Sequence, residues 1–131
     1  MNVTWCPFCF AEMDAALTHC PHCGAAVADR LQLSYQDRLL HALEHPLSET
    51  RMAAIIALGL RGEASAALPL ADCALAFPLD MVQGLQIVQA LAGLPAGPER
   101  TQALHRLCQH PGHAVAWAAG LVLDEMEPRQ A

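Results

Sequence analysis

The sequence predicts a mainly α-helical protein, a short α-solenoid of about three helix pairs behind a small cysteine-rich module. Three observations predict it. Alanine and leucine supply 45 of the 131 residues while aromatics make up only 5%, a balance that favours helices over sheets. Pro46, Pro78 and Pro111 recur at intervals of 32 and 33 residues, each between two helical stretches, and such a period marks helix–turn–helix repeats. Ahead of them, Cys6 and Cys9, then Cys20 and Cys23, form two Cys-x-x-Cys pairs separated by ten residues.

Composition narrows the function classes. At 54% hydrophobic residues the chain can build a packed core. Its net charge is −6, and all seven cations are arginine, so broad attraction to nucleic acid or anionic lipid is not expected. The opening "MNVTW" is neither basic nor long enough for a signal peptide. The longest apolar run, "ASAALPLADCALAFPL", is broken by Pro69, Asp72 and Pro78 and cannot span a bilayer. The expectation is a soluble cytoplasmic protein with no membrane partner. In that setting paired cysteines mean metal or redox chemistry, not structural disulfides.

The first element is the cysteine module, residues 1–30. Two Cys-x-x-Cys turns each deliver two sulfurs from one tight loop, which suits a tetrahedral four-thiolate metal site. Pro7 and Pro21 pre-set the turns, and Gly24 can take the positive φ that closes the second. The intervening segment has the length of a short hairpin. Residues 6–24 resemble the zinc ribbon family, with Phe10 standing where the first knuckle often has glycine. The resemblance implies one zinc per chain on Cys6, Cys9, Cys20 and Cys23. Iron in a rubredoxin-like site, passing electrons, is the alternative, and a thiol–disulfide switch is a third. His19 and His22 stand beside the ligands but are read as solvated neighbours.

The helical part is expected over 34–127, in units of about 34–62, 63–95 and 96–127. Ser34 with Asp37 reads as a capping-box-like start, with Tyr35, Leu39 and Leu43 on the buried face of the first helix. Asp37, His41, Glu44 and His45 fall on its wet face. In the second helices the expected core face carries Met52, Ile55 and Ile56, then Gly84, Ile87, Val88 and Leu91, then Trp117, Gly120 and Leu121. Gly59, Gly84 and Gly120 are expected to allow close helix approach. "TRMAAIIALG", "GEASAALPLADCAL" and the proline-containing turns resemble HEAT repeats, in particular the short HEAT-like repeats named after phycobilisome lyases. That resemblance covers residues 34 to 127 and is best in the first unit. It implies that Arg51 bonds its own turn, for which Glu49 is the expected partner.

Other reactive groups have ordinary readings. His105, Cys108, His110 and His113 straddle a turn with no carboxylate to orient them, so no second metal site is expected. Cys73 reads as a small core residue, and no neighbour is placed to activate it. Ser34, Ser48 and Ser65 read as cap and turn residues. No catalytic residues are expected. Function then defaults to binding: a protein–protein interaction adaptor or scaffold, with the ribbon capping or docking beside the repeats. Trp5, Phe8, Phe10 and Leu17 are candidates for packing onto the first unit. Arg51, Ala54, Leu58, Arg61, Gln83, Gln86, Ala116 and Ala119 are expected to border the partner groove, with homodimerisation as the alternative use of that face.

Overall fold

The computed structural model describes residues 3–6, 8–27 and 34–126; Pro7, the linker at 28–33 and Glu127 lie outside the described residues. Strand β1 (Val3–Trp5) pairs antiparallel with β2 (Glu12–Asp14), Thr4 lying opposite Met13. Six helices follow: α1 (Tyr35–Ala42), α2 (Ser48–Arg61), α3 (Ala67–Ala76), α4 (Met81–Ala92), α5 (Pro98–Leu107) and α6 (His113–Met126). Pro46, Pro78 and Pro111 fall between α1 and α2, α3 and α4, and α5 and α6, as expected of a residue that cannot donate inside a helix.

The helix ends have local causes. Ser34 Oγ accepts the Asp37 N–H at 3.1 Å. Helix α2 stops at Gly62, whose φ of 67° is left-handed. Asp80 caps α4 by accepting the Gln83 N–H at 2.9 Å, and Pro98 opens α5. Consecutive helices pack in pairs, α2 also lies on α4, α4 on α6, and α3 on α5. Between them Ile55, Leu58, Leu70, Ile87, Leu91, Leu104 and Leu107 are fully buried.

Arg51 links these layers. It is 5% exposed, donates Nε to Gln83 Oε1 at 2.7 Å, and donates Nη1 to His45 O at 2.8 Å and Pro46 O at 3.1 Å. Its guanidinium lies 3.7 Å from the centre of the Phe77 ring. The turn is bonded as the resemblance implied. Glu49 takes no part; a glutamine, two carbonyls and a ring do the work of a counter-ion.

Arg51 and Gln83 are 32 residues apart, and burial recurs at that spacing, through Arg51, Gln83 and Val115 and through Ile55, Ile87 and Ala119. The alignment on prolines used 33 for the last step, so Val115, not Ala116, takes the place of Gln83. The expected core face is therefore right only in part. Ile55, Gly84, Ile87, Val88 and Leu91 are buried, but Ile56, Trp117 and Leu121 are exposed. At the C-cap of α1, Leu43 is buried as expected, while Tyr35 at its start is exposed.

Glycines show where helices meet most closely. A Cβ on Gly84 would stand 2.6 Å from Val115 Cγ2, and one on Gly59 would stand 3.0 Å from Ala90 Cα. A Cβ on Gly120 would meet nothing within 4 Å, which corrects its expected role in close packing. Opposite signs follow for the same substitution. Gly84→Ala should lower stability by about 1–3 kcal/mol through overpacking against Val115. Gly120→Ala should raise it by roughly 0.5–1 kcal/mol through helix propensity alone. Thermal or urea unfolding of the two variants checks both.

Candidate metal centre

The two cysteine turns are built alike. In the first, the Phe10 N–H donates to Cys6 O at 2.9 Å and the Cys6 N–H donates to Ala11 O at 2.9 Å. In the second, Gly24 and Cys20 repeat this with Cys20 O at 2.9 Å and Ala25 O at 3.0 Å. Backbone N–H groups converge on the sulfurs, from Phe8 and Cys9 to Cys6 Sγ at 3.4 and 3.5 Å and from His22 to Cys20 Sγ at 3.3 Å. Both turns close through a positive φ, 77° at Gly24 and 63° at Phe10. A side chain in that region costs about 1–2 kcal/mol, so Phe10 is held there against its preference.

β1 and β2 flank the first turn, and an isolated bridge between His19 and Ala26 flanks the second. Cys6, Met13, Cys20 and Val27 form a small core beneath them. All four sulfurs lie within 4.8 Å of one another, with Cys6–Cys23 and Cys9–Cys20 both at 3.7 Å. A tetrahedron with metal–sulfur bonds of about 2.3 Å has edges of about 3.8 Å, so the sulfurs fit one metal ion, zinc among the candidates. The donor set does not fix which metal.

The free thiols do not ionise together. The backbone N–H of Cys23, joined by that of His22, lowers Cys20 to about 6. For Cys9 the Ala11 N–H acts in the lowering direction, but loss of solvent and the neighbouring sulfurs prevail and push it to about 12. A metal must displace that last proton.

The remaining candidates separate cleanly. Among the described residues the four cysteines are the group able to hold a metal. His19 and His22 are exposed, and His19 Nδ1 lies 3.0 Å from Thr18 Oγ1. His110 is buried with Nδ1 on the Gly112 N–H at 2.8 Å and Nε2 by Ala74 O at 3.2 Å. Cys73 is buried against Leu43 O at 3.5 Å, and burial raises its thiol to about 11.

The cysteine module touches the helices through side chains. The Phe10 ring stacks on His41 with centroids 5.0 Å apart and meets His45 edge-on at 4.9 Å; Trp5 meets His45 at 5.8 Å. Arg38 Nη2 donates to Thr4 Oγ1 at 2.6 Å. Trp5 and Phe10 thus pack on α1 as expected, whereas Phe8 and Leu17 stay exposed. His45, assigned to a wet face, is buried because this module covers it. It parallels His110, its Nδ1 accepting the Leu47 N–H at 3.0 Å, but its Nε2 meets no carbonyl among the described residues.

The expected partner groove falls mostly in the core. Arg51, Ala54, Leu58, Gln83 and Ala119 are buried, and Gln86 and Ala116 are half-buried. Arg61 is exposed but bonded to Gln36 Oε1 at 2.9 Å and Glu63 Oε2 at 3.3 Å. Small residues mark close contact between helices here, not room for a partner, and Glu at Ala54 or Ala119 would disrupt the fold. What lies open is the adjacent face. Ala53, Leu85 and Trp117 come into register at the 32-residue spacing, beside Ala57, Gln89 and Leu121. The signal for that face was present in the period; the proline alignment concealed it in the third unit.

Among the described residues no helix is long and apolar enough to cross a membrane. Set against protein-family models, curated proteins and solved structures, the chain matches none.

Titration of the reduced, metal-free chain with zinc should saturate at one ion per chain and release protons. Cys20→Ser should not reach that stoichiometry. Because the metal competes with protons for thiolates, and Cys9 holds its proton tightly, affinity should fall as pH is lowered. Metal analysis after dialysis at descending pH measures this directly.

Proposed function

We propose that this chain is a non-enzymatic protein-binding module, in which a zinc ribbon closes one end of a short HEAT-like stack. The observation that carries the reading is the exposed face of α2, α4 and α6. It presents Leu60, Val82, Leu85, Trp117 and Leu121, of which Leu60 is 84% and Trp117 63% exposed. Neighbouring positions are Ala53, Ala57 and Gln89, so the middle of the face carries apolar and amide groups, with Asp124 at the register of Leu60. Contiguous apolar surface of this kind is a mark of protein interfaces, and a buried Trp is a common anchor in them.

Two further features support it. The packing of α2 on α4 and α4 on α6, with burial repeating every 32 residues, is the arrangement that HEAT-like units produce. Outside the cysteine cluster, Cys73 and His110 are buried, and Ser34 and Asp80 serve as helix caps. Zinc is the metal assigned to that cluster, in a reducing cytoplasmic setting where four thiols persist.

The face can be tested with the exposed residues. Leu85→Glu and Trp117→Ala should each abolish capture of the partner by the tagged full-length chain. Because both positions face solvent, melting temperatures should stay within about 2 °C of the parent. A partner retained at full yield by both variants would reject this face.

A further inference from the structure

We infer that the groove between the cysteine module and α2 receives a cationic side chain, arginine or lysine, carried by an apolar segment of the partner. The inference rests on the protein-binding reading and names the chemistry of what binds. The cavity measures about 350 Å³ and lies between Trp5 of β1, Tyr35 of α1, and Glu49, Ala53, Ala54 and Ala57 of α2. Three alanines on one side of α2 form a shallow apolar floor. Trp5 and Tyr35, each at least half-exposed, supply aromatic walls.

Among the described residues, Glu49 is the one charged side chain that lines the groove. No described cation reaches it. Arg51 turns inward to Gln83, and Arg61 bonds Gln36 and Glu63 while lying 5.1 Å from the Tyr35 ring centre. A cation entering the groove therefore meets aromatic surface and an unpaired carboxylate, while its aliphatic stem lies along the alanines. A neutral apolar group would desolvate Glu49 without compensation, and an anion would be repelled.

Among the described residues, a second copy of this chain has no free side chain to supply the cation. The sequence has no lysine, and the side chain of every described arginine is already bonded: Arg38 to Thr4, Arg100 to Leu94 O, Arg106 to Asp72, besides Arg51 and Arg61. The groove is continuous with the apolar face, since Ala53 and Ala57 stand in register with Leu85 and Gln89. A partner helix on that face would bring its charged end to Glu49. Glu49 also lies in the first turn of α2, where the helix dipole favours a carboxylate. That role needs no aromatic walls, and the experiment separates the two.

The probes are two synthetic amphipathic peptides with a leucine face, identical except for one terminal arginine replaced by citrulline. Proton–nitrogen NMR of the metal-loaded full chain reads the indole N–H groups of Trp5 and Trp117 separately. The arginine peptide should bind about five- to tenfold more tightly and shift both indoles. Glu49→Gln should bring the preference close to one without changing the melting temperature. Equal binding of the two peptides, or an undiminished preference in Glu49→Gln, overturns the inference. A shift at Trp117 with Trp5 unmoved overturns it while leaving the face reading intact. No shift at either indole overturns both, and so does a homodimer that excludes the peptides.

Discussion

A guanidinium buried among neutral groups fixes how the helices are joined. Placing the Arg51 charge in the interior carries a desolvation cost of several kcal/mol unless its donors are satisfied. Here they are met by the carbonyls of His45 and Pro46, by Gln83, and by the face of Phe77. Each partner belongs to a different piece of the fold: the turn before α2, the helix α4, and the turn before α4. One side chain thereby sets the bend of its own turn, the register of α2 on α4, and the position of the following turn. The 32-residue repetition of burial and the open apolar face both follow from that register.

The cysteine module is ordered by another kind of force. With Cys6, Met13, Cys20 and Val27 as its buried apolar residues among those described, it has too little apolar area for an independent core. Four sulfurs at tetrahedral spacing supply the missing constraint once an ion is bound. Phe10 connects this chemistry to the helices. Its left-handed backbone belongs to the sulfur turn, and its ring belongs to the surface of α1. Glycine would suit the turn better, but it could not cover His41 and His45.

Much of this was legible in the sequence. Cysteine spacing picked out the four sulfurs that cluster, because two-residue separation is a local constraint that tertiary structure cannot override. Proline spacing located the three turns for the same reason. The faces of the second helices were harder to read. An Arg, a Gln and several alanines look like surface in a hydropathy pattern, yet Arg51 and Gln83 satisfy each other inside the protein, and the alanines permit close packing. Trp117 and Leu121 look like core, yet no described element covers them. Binary patterning assigns side chains by polarity, and it fails where a buried polar bond or an open apolar face reverses that rule. His45 was misread differently: what covers it comes from residues more than thirty positions away.

The parallel between His45 and His110 bears on cooperativity. His110 lies by a backbone carbonyl of α3, so the third pair is tied to the second by a polar contact as well as by packing. At His45 the corresponding nitrogen has no such partner among the described residues, and the seam there is closed by rings and by the contact of Arg38 with Thr4. The two seams therefore differ in kind: one is held by a backbone carbonyl as well as by packing, the other by aromatic faces and a single side-chain bond. A seam of the second kind opens at lower cost than one that must also break a buried polar bond.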